Sequence, residues 1–214
     1  MINEHIESQV IGTLKITDKE SGTVLVEKRN AIHPGNMAYV LASAMAGIPT
    51  DINANGTAPH IGWMAFGNGG STSTTTLSYK SPQVFGYYDQ RPLASSLSRL
   101  HFRQYEQRTE NTVYFPGQDL GDGEVVPNNT SKVNFKVEIN HQQFADAVKD
   151  TVPENDTTVA PTFTIDEIGL ISGVNGEEFE EDKSLMLTHV TFHPVLLSAN
   201  RTIVIDYTVT IQIS

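Results

Sequence analysis

The stretch TIVIDYTVTIQI, from Thr202 to Ile213, decides the fold class of this chain. Its odd-numbered positions are apolar or aromatic and its even-numbered positions are polar, with Val204 as the one apolar residue on the polar face. Such alternation is the period of a β-strand with one buried face. The stretch therefore predicts a long strand over 202–213 that packs on a core.

Further strands are predicted by the same reasoning. The segments 10–16 and 23–27 flank the turn residues Asp18 to Gly22, which is typical of a hairpin. The remaining alternating or short apolar segments lie at 61–66, 133–139, 163–171 and 185–195. Strands separated by turns, without regular βαβ alternation, favour an antiparallel β-sandwich over a doubly wound sheet.

One core-packed helix is predicted at about 34–46. Pro34 suits a first helical position, and an apolar stripe with helical spacing follows it. Gly47 and Pro49 then end the helix. The stripe consists of Met37, Val40, Leu41, Ala44 and Met45. A second, short helix is predicted at 141–149.

The segment at about 67–130 is rich in Gly, Pro, Ser, Thr and Asn, and it reads as a long, loop-rich insertion. Short strands are expected within it only at 97–105 and 111–115. Excursions of this kind usually carry contacts to something else. With 214 residues, the chain fits a single β-sandwich-like domain over 1–214 that carries this insertion.

Composition excludes several classes of function. The chain has no cysteine, which rules out disulfides and thiolate metal sites. Its net charge of −11 argues against nucleic acid as a partner. No apolar run is long enough for a membrane span, and the polar, acidic start is unlike a signal peptide.

The glycine loop, Gly67-Asn68-Gly69-Gly70, is the stretch that most resembles a nucleotide-binding fingerprint. A dinucleotide loop would need a third glycine where Thr72 stands, and a P-loop would need an earlier lysine than Lys80. The β-branched residues that follow are poor at starting the helix whose dipole would hold a phosphate. We therefore interpret the loop as a structural turn, with Asn68-Gly69 as a hairpin or tight-turn signal, and expect no cofactor.

Candidate catalytic and metal-binding residues are few. His189 and His193 have the i, i+4 spacing of a helical metal site, but in a strand they would lie about 13 Å apart. The acidic run at 177–182 reads as a solvated loop, and Asp119 to Glu124 lacks the spacing of a calcium loop. Asp166-Glu167 is unusual within an apolar strand, and one of the two is expected to point inward, capping backbone or pairing with an arginine.

Several segments together resemble structural proteins of tailed bacteriophages, in particular the tail-collar or fibre-attachment type of domain. The resemblance covers about half the chain, and 71–130 departs from it. Its segments, in order, are Asn30-Ala-Ile-His-Pro-Gly-Asn-Met37, Met64-Ala-Phe-Gly-Asn-Gly-Gly70, Asp166-Glu-Ile-Gly-Leu170, Val174-Asn-Gly-Glu177, Leu185-Met-Leu-Thr-His-Val-Thr-Phe-His-Pro194 and the terminal strand.

The resemblance implies a non-enzymatic subunit of the virion, made in the host cytoplasm, whose partners are other virion proteins and copies of itself. Because the chain stops at Ser214 without a repetitive shaft, we expect a neck, collar, baseplate or tail-associated component, or a capsid decoration protein. The aromatic residues of the insertion are the candidate interface residues: Tyr79, Phe85, Tyr87, Tyr88 and Tyr105.

Two alternatives remain open. The same aromatic residues would suit a carbohydrate-binding module that recognises a host surface glycan. An enzyme acting on glycans through Asp166, Glu167 or a loop acid is the other alternative.

Overall fold

The structure is a computed structural model that describes residues 7–46, 60–73, 76–84, 100–121, 123–148, 163–173, 185–198 and 200–214. Strands dominate it, as the sequence predicts. In chain order the elements are β1 (Ser8–Asp18), β2 (Val24–Arg29), β3 (Ala31–Ile32), α1 (Pro34–Ala46), β4 (His60–Gly67), β5 (Ser71–Ser73), β6 (Leu77–Tyr79), β7 (Arg103–Arg108), β8 (Glu110–Tyr114), β9 (Asp119–Gly121), β10 (Glu124–Val125), β11 (Thr130–Asn140), α2 (His141–Val148), β12 (Phe163–Gly173), β13 (Thr188–Leu197) and β14 (Thr202–Ile213).

Two five-stranded sheets form an antiparallel β-sandwich, which confirms the predicted fold class. Sheet one has the order β2-β1-β14-β11-β8, and sheet two has the order β3-β13-β12-β4-β7. Two small hairpins, β5–β6 and β9–β10, stand beside them. The predicted hairpin of β1 and β2 is present, with Asp18 accepting a hydrogen bond from the N–H of Ser21 in its turn.

The long terminal strand lies at the centre of sheet one, between β1 and β11. Its inward side chains Ile203, Ile205, Tyr207 and Val209 are buried in a core shared with β12 and β13 of sheet two. Burying each such side chain contributes about 1.5–3 kcal/mol. The alternation seen in the sequence is therefore the alternation between this core and the outer face.

Helix α1 has the bounds that the sequence predicts, and His33 caps its first turn. The Nδ1 atom of His33 accepts a hydrogen bond from the N–H of Asn36 at 3.1 Å. Met37 and Val40 are buried as expected. The last part of the predicted stripe is wrong: Ala44 and Met45 are exposed, and Ser43 is buried instead, donating its hydroxyl to the carbonyl of Tyr39.

The second helix, α2, begins with a reciprocal cap. The N–H of Gln143 donates to the side chain of Asn140, and the Gln143 side chain accepts from the N–H of Asn140. Phe144 from this helix is fully buried and packs on Phe163 and Tyr105. The helix therefore covers the core near one edge of the sandwich.

The segment 67–130 contributes more to the sandwich than a loop-rich insertion would. β7 pairs with β4 in sheet two, and β8 pairs with β11 in sheet one. β8 confirms the strand expected at 111–115, and β7 overlaps the end of the one expected at 97–105; their residues are mostly polar, partly buried in β7 and mostly exposed in β8. The two ladders show that this segment supplies an edge strand to each sheet.

Single-residue crossovers connect the two sheets at both sides of the sandwich. Thr109 alone separates β7 in sheet two from β8 in sheet one, and its N–H donates to the carbonyl of Gly62 at 2.9 Å. Asn30 alone separates β2 in sheet one from β3 in sheet two, and its N–H donates to the carbonyl of Gly12. The chain therefore passes between the sheets without a loop at either place.

Among the described residues, no helix combines the length and the apolar character that crossing a membrane requires.

Candidate functional site

The acidic pair, Asp166 and Glu167, lies in the centre of sheet two on β12. Both residues are buried, Asp166 with 2% and Glu167 with 0% of its surface exposed. The pairing of β12 with β13 is interrupted between Ile165 and Glu167, opposite a segment of β13 that contains Pro194. A proline cannot donate to the ladder, so an irregularity is expected there.

Asp166 binds the end of the glycine loop and the residue after it. One carboxylate oxygen, Oδ1, accepts the N–H of Gly70 at 2.8 Å. The other oxygen, Oδ2, accepts the N–H of Ser71 at 2.8 Å and also its hydroxyl. The carboxylate thus fixes the exit of the chain from β4 into β5.

Glu167 accepts four hydrogen bonds from within the protein. Its Oε1 atom receives the N–H of Gly69 at 3.0 Å and that of Phe102 at 2.7 Å. Its Oε2 atom receives the N–H of His101 at 2.8 Å and contacts Nε2 of His189 at 3.0 Å. Two oxygens hold about four lone-pair sites, so this carboxylate is saturated.

The glycine loop therefore binds an anion, and that anion is the protein's own acidic pair. The N–H groups of Gly69 and Gly70 that could face a phosphate are already used by Glu167 and Asp166. This geometry agrees with the structural interpretation of the loop. Of the two alternatives for Asn68-Gly69, the hairpin is not formed, because β4 pairs with β12 and β7 while β5 pairs with β6; the chain bends between β4 and β5.

Close approach, and not a left-handed backbone, is what requires glycine in this loop. A Cβ atom on Gly70 would lie 2.6 Å from the carbonyl oxygen of Asp166, and one on Gly69 would lie 2.6 Å from the nitrogen of Phe102. A Cβ on Gly67 would meet the carboxylate of Glu167 at 2.5 Å. Any side chain here would push the backbone away from the acids.

The hydrogen-bond partners of His189 define its tautomer. The N–H of Gln83 donates to Nδ1 of His189 at 2.7 Å, so Nδ1 carries no proton. Nε2 must then carry the proton of the neutral ring, and it donates to Glu167. Through these two hydrogen bonds, the imidazole of His189 connects the backbone of Gln83 with the carboxylate of Glu167.

The environment of Glu167 favours its charged form. Burial alone would raise the pKa of Glu167, but the hydrogen bonds from His189 and from the N–H groups of Phe102 and His101 outweigh it. The resulting pKa lies below its ordinary value. Glu167 thus lacks the raised pKa of a general acid.

His101, Glu167 and His189 are the one group in the described ranges whose potential metal-ligand atoms lie close together, within 4.8 Å of one another. Their hydrogen bonds do not fit a metal ion. A metal on Nε2 of His189 would require the proton on Nδ1, where the N–H of Gln83 already points. It would also displace donors from a saturated carboxylate.

Of the candidate interface residues, the structure describes Tyr79 and Tyr105, and these two make different contacts. Tyr79 is 50% exposed, and its hydroxyl contacts Nδ1 of His193 at 3.2 Å. Tyr105 is partly buried and packs against the core, where it stacks on Phe66 and contacts Phe144. Three of the candidates lie outside the described residues: Phe85, Tyr87 and Tyr88.

Other sequence-based candidates have the following places. His193 is exposed and His189 buried on β13, a strand as predicted. Asp119 and Glu124 are exposed, and Glu124 pairs with Lys132 at 2.8 Å. The acidic run 177–182 lies outside the described residues.

The sequence indicated the acidic pair but not what it binds. The expectation that an inward carboxylate caps backbone is confirmed, although both acids do so and no arginine is among their hydrogen-bond partners in the described part of the chain. The bound N–H groups lie 65 to 98 residues away in the sequence. Such distances leave no local signal beyond the paired acids and the glycines themselves.

No known protein family, curated protein or solved structure matches this chain.

Proposed function

We propose that this protein is a non-enzymatic structural subunit of a tailed bacteriophage particle, assembled in the neck, collar, baseplate or tail through contacts with copies of itself. The order of motifs along the chain supports this proposal. The observation that carries the non-enzymatic part is the saturation of Glu167, whose four hydrogen bonds all come from within the protein.

Saturation argues against catalysis because a general acid or base must exchange a proton with a substrate. Glu167 has no exposed surface and no lone pair left for such an exchange. Asp166 is likewise bound to Gly70 and Ser71. The acidic pair instead acts as an internal clamp on the glycine loop, which suits a part whose task is to hold its shape.

The position of the protein is tested with an antibody raised against the purified chain. Immunogold electron microscopy of intact particles should label one defined location, at the neck, baseplate or tail. Labelling over the whole capsid would instead favour a decoration protein. Detection in the infected-cell lysate together with absence from purified particles would overturn the proposal.

One observation favours the carbohydrate-binding module as a second candidate. Tyr79 presents a half-exposed ring whose orientation is fixed by His193 at its hydroxyl and by Lys28, whose Nζ lies 5.5 Å from the ring centre. A pre-oriented aromatic ring suits the apolar face of a sugar. Binding on a glycan array that disappears in Tyr79→Ala would support this candidate, and an array without any signal would remove it.

A further inference from the structure

A basic patch lies at the β2 side of the sandwich, on a protein whose net charge is −11. It consists of Lys28, Tyr79, Lys80 and His193, all exposed. Lys28 donates to the carbonyl of Thr191 at 2.7 Å, and the hydroxyl of Thr191 donates to the carbonyl of Lys80 at 3.0 Å. These bonds, with the contacts of Tyr79, hold the patch together across β2, β6 and β13.

Within the described part of the chain, the strands that form the patch bring few acids to it. The strands β6 and β13 contain no Asp or Glu. Side chains of a strand alternate between its two faces, so Lys28 lies on the same face of β2 as the buried Val26. Glu27 lies on the other face, opposite Lys15 of β1 in the strand register. Leu77, two residues before Tyr79 on β6, adds an exposed apolar side chain. The patch therefore combines positive charge with aromatic and aliphatic surface.

An acidic arm lies at the opposite side of sheet one. It comprises residues 115–129, which follow β8 and include the hairpin β9–β10. Its sequence contains three acids, Asp119, Asp122 and Glu124, and no Lys or Arg. Phe115 is 64% exposed and Val125 is 54% exposed. The arm thus offers negative charge with apolar surface.

Backbone hydrogen bonds give the arm a defined shape. The N–H of Gly117 donates to the carbonyl of Val126, and the N–H of Val126 donates to the carbonyl of Gln118. Gly117, Gly121 and Gly123 have positive φ angles that suit glycine. An arm that is already ordered loses less conformational entropy when it binds a partner.

We propose that the occupant of the basic patch is the acidic arm of a second copy of this chain. The two surfaces have opposite charge and similar apolar content, and β2 and β8 are opposite edges of one five-stranded sheet. Adjacent strands lie about 4.8 Å apart, so one subunit separates the two surfaces by about 19 Å. The inference rests on the proposed function, since it specifies how such a subunit meets its copies.

This contact is head-to-tail, because the two surfaces differ and lie on opposite sides of the subunit. Repetition of a head-to-tail contact closes a ring or extends a filament, depending on the rotation between copies. The charges orient copies that otherwise repel through their net negative charge. Lys132 already contacts Glu124 at 2.8 Å, whereas Asp119 accepts the uncharged N–H of Gly121, so the charge of Asp119 is better placed for a partner.

The test uses sedimentation velocity of the full chain at low salt with two charge-reversed variants. One is Lys28→Glu with Lys80→Glu, and the other is Asp119→Lys with Glu124→Lys. Each variant alone should lose self-association by about tenfold or more, because like charges then meet. Mixed at equal amounts, the two should associate again, since each retains the charge that complements the other.

Controls separate the patches from net charge and from misfolding. Lys15→Glu with Lys136→Glu carries the same change of charge as the first variant on the outer face of sheet one, and it should associate like the wild type. Circular dichroism should show folded protein throughout. Lys28→Glu also removes the hydrogen bond from Lys28 to the carbonyl of Thr191. The single variants Lys80→Glu and Asp119→Lys repeat the test while that hydrogen bond stays in place.

The outcomes distinguish this inference from the proposed function. A wild type that assembles, with both reversed variants unaffected, overturns the two patches and leaves the assembly role standing. A wild type that stays monomeric at high concentration overturns the patches, and together with absence from purified particles it overturns the proposed function as well.

Discussion

Glu167 brings a charge into the interior, where a carboxylate that loses its partners costs several kcal/mol. In Glu167→Gln, the amide NH₂ group faces N–H donors that in the wild type bind a carboxylate oxygen, such as those of Gly69 and Phe102. We expect the free energy of unfolding in urea to fall by about 3 kcal/mol. Glu110→Gln on exposed β8 is the control and should change it by less than about 0.5 kcal/mol. Equal stability of the two variants would contradict the role given to Glu167.

The pH dependence of stability follows from the same carboxylate. Because the pKa of Glu167 is lower in the folded than in the unfolded chain, its contribution is complete above its ordinary pKa of 4.5. The contribution is lost as the pH falls through the lower folded pKa. Urea titrations from pH 6 to pH 2 should therefore show a smaller loss of stability in Glu167→Gln than in the wild type. Parallel curves for the two proteins would count against this assignment.

Gly70 offers a second test of the clamp. In Gly70→Ala, the new Cβ would lie 2.6 Å from the carbonyl oxygen of Asp166, so the backbone must move and the N–H of Gly70 must leave its carboxylate. We expect a loss of about 2 kcal/mol, typical of overpacking in a tight site. Gly22→Ala cannot serve as the control because Gly22 has a positive φ. Ala38→Gly at an exposed position of α1, which should cost about 1 kcal/mol through the backbone alone, gives the scale for comparison. If Gly70→Ala were as stable as the wild type, the loop could accommodate a Cβ atom at this position without losing its hydrogen bonds.

The sequence could not reveal which groups form hydrogen bonds with Asp166 and Glu167. The apolar context of Asp166 and Glu167 indicates a buried acid, and the glycines indicate a constrained loop. The hydrogen bonds between them depend on how β4 and β12 pair, which no local pattern encodes. His101 and His189 give no signal at all, since a single histidine in a strand has many uses.

Helix α1 depends on an N-cap that titrates. Burial lowers the pKa of His33 below its ordinary value of 6.5, and its neutral Nδ1 accepts the N–H of Asn36. The contribution of this cap is complete above pH 6.5 and is lost as the pH falls through the lower folded pKa. NMR titration of the imidazole protons should therefore give His33 a pKa below its ordinary value of 6.5.

Two substitutions of His33 distinguish the capping hydrogen bond from the effect of protonating the imidazole. His33→Asn keeps a capping side chain and should remove the loss of stability that His33 causes on acidification, whereas His33→Ala should lose about 1–2 kcal/mol at pH 7. A His33→Ala protein as stable as the wild type would show that the first turn of α1 does not need this bond.

Periodicity predicted most accurately the elements that have one clearly apolar face. β14 and α1 match their predicted bounds because alternation and helical spacing are strong there. β8 lies within one residue of the strand expected at 111–115, whereas β7 extends three residues beyond the strand expected at 97–105, because the sequence RQYEQR is mostly polar. At the end of α1, Met45 is exposed although its spacing is that of a core residue. The stripe alone could not show where the sandwich stops covering the helix.

The two sheets share one core, so we expect the protein to unfold as a unit. Residues of β14 and β11 in sheet one and of β12 and β13 in sheet two belong to the same buried cluster. Trp63 on β4, the one tryptophan of the chain, reports on sheet two, and far-ultraviolet circular dichroism reports on both sheets. Their urea transitions should coincide within error. Separate midpoints would indicate that the sheets unfold independently.

The single-residue crossovers at Asn30 and Thr109 have a mechanical consequence. Each sheet is held by its own backbone hydrogen bonds, and a long connection between two sheets can extend before it resists the sliding of one sheet over the other. Here the backbone connects the two sheets at both edges of the sandwich, and each connection is one residue long. A force that drags one sheet across the other would stretch covalent backbone almost at once, so this domain should transmit load as a stiff block.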